Sequence, residues 1–209
     1  MTVAARACIA LVLIGPIVRA ANGQGSADAR LATRLDKPTF IAVSAIVDSA
    51  RLAKLPTAPL VDKALEGAAK GSDGQKIVAA VHQLSVRMGS AKRVLRTNAN
   101  ADEVNAAVSA LDAGVSVHDL ALVAAASGKR PVTMPLTVLA DLIERKVPVP
   151  TATNLVVQMA RSGVKDSEFA LFQRNVRADV DHGADPAVAA TTRARGLVLR
   201  PGNGAKPSE

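Results

Sequence analysis

The chain has 209 residues, 49 % of them hydrophobic and 21 % charged, the balance of a folded protein and not of a disordered one. It carries a formal charge of +8, yet has no Trp, no Tyr and only three Phe. That composition argues against carbohydrate sites built on ring stacking, and against single-strand nucleic-acid binding that rests bases on aromatic platforms.

Residues 1–20 read as a secretory signal. Arg6 supplies the positive start, Cys8 to Ile14 (CIALVLI) the apolar run, and Gly15-Pro16 the break. Val18-Arg19-Ala20 presents a cleavage site after Ala20. The apolar run is far short of the ~20 residues a membrane-spanning helix needs, so removal is expected in place of anchoring. Cys8 opens the apolar run; a lipid-attachment cysteine would follow it. Cleavage leaves 189 residues without a cysteine and lowers the charge to +6 as Arg6 and Arg19 depart. The expected location is periplasmic or secreted, in an oxidising compartment but with no disulfide or thiolate metal site.

Residues 21–36 are rich in Gly, Ala and Ser and are expected to be a flexible leader. A single helical domain then spans 37–196. Its first element, after Lys37-Pro38, buries Phe40, Val43, Val47 and Ala50. FIAVSAIV has strand character, but residues 48–54 continue it with no turn signal, which favours helix. Thr57 and Pro59 start the next helix, which carries Leu60, Val61, Ala64, Leu65 and Ala68 and is stopped by Gly71.

Ser72 or Asp73 caps a long helix over about 74–97. Ile77, Val81, Leu84, Met88, Ala91 and Leu95 recur on it at alternating steps of four and three, a seam that calls for a partner along its length. Gly89 interrupts it and would admit a close neighbour. Arg87, Lys92, Arg93 and Arg96 occupy the opposite face. The block LPTAPLVDKALEGAAKG followed by KIVAAV resembles uncharacterised secreted bacterial proteins, Ala-rich and helical, over residues 48–81. The resemblance implies no activity and no binding residue.

Asn100 with Glu103 makes a capping-box pattern for a helix carrying Val104, Val108 and Leu111 and ended by Gly114. Ser116 caps the next, with Leu120 and Val123 inward. After a loop at 127–131, Thr133-Met134-Pro135 repeats the Thr-x-Pro-Leu start seen at Thr57. Ala152, Leu155, Val156 and Met159 mark a further helix, then Phe169, Phe172, Val176 and Val180 another. Asp185-Pro186 opens a last one, ending at Gly196. Residues 197–209 are polar and turn-rich, an expected disordered tail. The breaks Gly114-Val115, Lys146-Val147, Gly163-Val164 and Gly183-Ala184 repeat one rule, a helix stop followed by a hydrophobic residue. The expected fold is therefore all-α: a compact, irregular stack of short antiparallel helix hairpins around the long helix. The uneven breaks argue against a solenoid of fixed period.

Site chemistry is sparse. His82, His118 and His182 lack metal-ligand spacing. The carboxylates, Glu103 among them, fall where surface faces and helix starts place them. Nucleophile elbows, phosphate loops and dinucleotide fingerprints are absent from the sequence. No cofactor and no catalysis are expected, and export conflicts with a nucleic-acid partner. The expected role is a protein-interaction or structural one, with an unidentified protein as partner. The alternative is binding of anionic envelope lipid or polymer through Arg87, Lys92, Arg93 and Arg96, against the plainer reading of a solvated helix face.

Overall fold

The computed structural model describes residues 24–199. The expected signal segment 1–20, and residues 200–209 of the expected tail, lie outside the described residues. Ten helices and no strand occupy those described: α1 Gln24–Arg34, α2 Lys37–Leu52, α3 Ala58–Ala69, α4 Gly74–Val94, α5 Ala101–Asp112, α6 Val117–Ser127, α7 Thr133–Glu144, α8 Val149–Arg161, α9 Asp166–Asp181 and α10 Pro186–Val198. FIAVSAIV is helical, within α2, and the fold class is all-α as the caps and stops indicate.

The leader departs from expectation. Its described part is mostly α1, and Leu31 is fully buried where α1 packs on α3. Leu31 and Leu35 are four apart, enough to seat one edge of a short helix on the core. At the other end, α10 continues past Gly196 to Val198, and Leu197 is buried.

The long helix is 21 residues and stops at Val94, earlier than the seam suggests. Leu95 is extended (φ −82°, ψ 168°) yet still buried, so its side chain reaches the core without the helix continuing to it. Ile77, Val81, Met88 and Ala91 are buried as the spacing requires, while Leu84 is only half-buried. No single helix runs along the seam: α2, α3, α5 and α6 share it. Gly89 does not interrupt α4, and a Cβ there would meet open space. Close approach falls instead at Gly67, where a Cβ would lie 2.8 Å from Ile77 Cγ1, and at Gly74, where it would lie 2.1 Å from Thr39 Oγ1.

The turn rule has a concrete basis. At Gly114, Lys146, Gly163 and Gly183 the backbone is left-handed, with φ from 72° to 102°. Each following N–H reaches back to a carbonyl five residues earlier: Val115 to Ala110, Val147 to Leu142, Val164 to Met159, Ala184 to Asp179. These are Schellman turns, and they tuck Val115, Val147 and Val164 into the core while closing orphan carbonyls. Lys54 and Gly71 end α2 and α3 in the same way. Thr57 and Thr133 make no side-chain cap. Their repeated Thr-x-Pro-Leu start serves packing, placing Leu60 and Leu136 fully inside.

A regularity hidden by the break spacing emerges from the helix starts. Helices α5 to α9 begin at residues 101, 117, 133, 149 and 166, so successive starts are 16 or 17 residues apart. With elements this even, each helix can pack on its next-but-one neighbour: α5 on α7, α7 on α9, α4 on α6, α6 on α8, α8 on α10. Two interleaved ranks result, sharing one hydrophobic core with α1–α4.

Candidate functional site

The four cations, Arg87, Lys92 and Arg93 on α4 and Arg96 just past its end, do not form a free basic face. Arg87 Nε lies 3.0 Å from Asp112 Oδ1 at the end of α5. Lys92 Nζ donates to the Lys54 carbonyl at 2.5 Å and to that of Ala53 at 3.4 Å, placing an ammonium on the negative end of α2. Arg96 donates through Nη2 to Glu103 Oε1 at 2.8 Å and through Nη1 to the Lys129 carbonyl at 2.5 Å. Arg93 alone stays exposed with a local contact, a 2.9 Å bond to Ser90 Oγ on its own helix. Three of the four are ties between elements.

Glu103 is the correction with the largest consequence. Sequence reasoning puts it on the surface as the third residue of a capping box. The box exists: the Asn100 N–H donates to Oε2 at 3.0 Å, and the Glu103 N–H donates to Asn100 Oδ1 at 2.9 Å. But the residue is 2 % exposed, because its Oε1 also accepts from Arg96 and, at 3.1 Å, from the Val132 N–H. One carboxylate thus joins the end of α4, the start of α5 and the α6–α7 loop. Burial opposes its ionisation most strongly; together the Asn100 N–H, the Arg96 guanidinium and the Val132 N–H outweigh that and hold its pKa below the ordinary 4.5. Two residues before Val132, Arg130 donates to the Val164 carbonyl at 3.1 Å and to that of Ala160, closing the end of α8. The cluster is stitching: both Glu103 oxygens are matched, and of its buried side-chain atoms only Arg96 Nε goes without a hydrogen bond.

The histidines stay apart in chemistry. All three are exposed. His182 Nδ1 lies 2.6 Å from the Ala178 carbonyl on its own helix, and Asp119 pairs with Ser116, not with His118. Among the described residues no group of three or more His, Cys, Asp or Glu side chains could hold a metal. No described helix is long and apolar enough to cross a membrane.

Concave surface lies instead between successive helices of a rank. The groove between α8 and α10 has a volume of about 540 Å³. Leu155, Ala194 and Val198 form its floor; Thr151, Asn154 and Gln158 rise on one side, Thr191 and Arg195 on the other. Sequence reasoning used α8 only for its buried face. The signal for the groove was the uncharged polar stripe Thr151, Asn154, Gln158, at steps of three and four on the outer face.

No protein-family model matches the chain, and no curated protein or solved structure does either.

Proposed function

We propose that the chain is an exported, all-helical protein that works by holding another protein and has no catalysis of its own. The observation in favour is the α8–α10 groove. An apolar floor between polar rows, neutral except for Arg195, suits a peptide segment, whose side chains take the floor and whose backbone takes the rims. It lies between the last two helices of the even rank, where two short helices supply a long, shallow trough in place of an enclosed cavity. The ties made by Arg87, Lys92 and Arg96 weaken the alternative of an anionic surface at that position.

Placing a photo-cross-linking residue at Gln158 in the producing cell tests the reading. A single discrete adduct is expected, lost when Thr191→Arg fills the groove. No adduct, or one indifferent to Thr191→Arg, would remove the groove as the binding surface. Export is tested separately by intact mass, which should correspond to a chain beginning at Ala21.

A further inference from the structure

We propose that a second surface, made by α1, α3 and the start of α4, docks on a membrane leaflet of anionic phospholipid. Three shallow hollows run into one another across these helices. The first, of about 460 Å³, is lined by Arg30, Arg34, Leu65 and Ala69. Arg34 also lines the second, of about 210 Å³, together with Asp36, whose carboxylate is engaged by the Thr39 N–H at the start of α2; it shares Ser72 and Ile77 with the third. The third, of about 270 Å³, holds Lys63, Lys70 and Lys76 around Glu66. Shared residues make these one band, with cations at both flanks and the small apolar strip of Leu65 and Ala69 between them.

Part of the charge on this band is available, in contrast to Arg87, Lys92 and Arg96. Among the described residues Arg30, Arg34 and Lys76 have no ion-pair partner. Lys63 and Lys70 share one carboxylate: both donate to Glu66, whose pKa they lower to about 2, so it stays ionised and offsets only one of them. The chemistry favours a surface over a single bound anion. Glu66 stands in the middle of the lysines, where a lone phosphate would have to sit beside it. The positive groups are spread over three helices and do not converge on one point. A leaflet of anionic headgroups meets spread charge well, each nearby Lys or Arg adding attraction that falls off within a Debye length. Leu65, half-buried and flanked by the cations, offers a shallow apolar contact at the same level.

The test is sedimentation of the full chain with vesicles of phosphatidylglycerol and phosphatidylcholine, against vesicles of phosphatidylcholine alone. Binding is expected only to the anionic vesicles, and should vanish at ~1 M salt, where the Debye length is ~3 Å. Changing Arg30, Arg34, Lys70 and Lys76 together to Gln should weaken it by more than about tenfold, with the helical circular dichroism unchanged. Arg93→Gln should leave it as it was. Binding that survives the fourfold change, or is lost in Arg93→Gln, overturns the assignment. Competition by millimolar inorganic phosphate would also overturn it, since that marks a single-anion pocket and not a surface. None of these outcomes depends on the α8–α10 groove, so the two readings fail or stand separately.

Discussion

Helices α1–α4 and helices α5–α10 reach the same core by different means. In the first region the helices are unequal, 11, 16, 12 and 21 residues, and they fit because backbone comes close at two glycines. Gly67 admits Ile77, and Gly74 admits Thr39. In the second, α5 to α8 are 12, 11, 12 and 13 residues and start at even intervals, and a Cβ at Gly114, Gly128, Gly183 or Gly196 would meet nothing within 4 Å. There Gly114 and Gly163 work in turns, where left-handed backbone reverses the chain and sends the next valine inward. Equal helices with equal turns can stack in ranks; unequal ones need individual fitting. Glu103 sits where the two solutions meet.

The largest effect separating the regions should come from the core of the long helix. Met88 is fully buried, whereas Leu84, on the same seam, is half-buried. Met88→Ala should cost about 2–5 kcal/mol in chemical denaturation, and Leu84→Ala clearly less. Equal losses would mean the seam is evenly covered and the sharing among α2, α3, α5 and α6 is misjudged.

Next in size is Glu103→Gln, which removes the charge that Arg96 faces at the junction and should cost about 2–3 kcal/mol at neutral pH. The pH dependence has a definite sign. Because the folded pKa lies below the ordinary 4.5, the ionised group contributes stability above that value, lost as pH falls through the folded pKa. Melting followed from neutral pH to below about pH 4 should therefore narrow the gap between parent and variant. Parallel curves would show that the carboxylate's interactions are no better in the folded state.

The glycines sharpen the comparison with opposite signs. Gly74→Ala presses a methyl against Thr39 Oγ1 and should destabilise by about 1–3 kcal/mol. Gly89→Ala meets nothing in the middle of α4, and should stabilise by about 0.5–1 kcal/mol by restricting the unfolded chain and improving helix propensity. Thermal melts of the two variants decide the matter.

What the sequence made legible is local. The capping box at Asn100, a cap at Ser72 or Asp73 (Asp73 in the structure), the Schellman stops and most buried faces depend on residues within a turn or two, and they stand in the structure. What it concealed depends on partners far along the chain. Leu31 is buried only because α3 lies against it, and two leucines in a Gly- and Ala-rich stretch gave little periodicity to find. Glu103 is buried because Arg96 precedes it by seven residues and Val132 follows by 29. The even helix starts were masked because the chain breaks at a glycine in some turns, at Lys146 in one, and by a different geometry at Gly128. The candidate surfaces were hidden for the same reason: the groove joins α8 to α10, and the basic band joins α1 to α3, helices that are not sequence neighbours.

The central claim is that Arg87, Lys92 and Arg96 join elements of the fold, whereas Arg93 bonds only within α4. Thermal unfolding of Arg96→Gln beside Arg93→Gln tests it most directly. Arg96→Gln leaves buried Glu103 without its cation and should cost about 1.5–3 kcal/mol, a fall of several degrees in Tm for a domain of this size. Arg93→Gln should stay within about 0.5 kcal/mol of the parent. Equal melting temperatures for the two variants would contradict the account and return Arg96 to the solvated face on which its sequence position placed it.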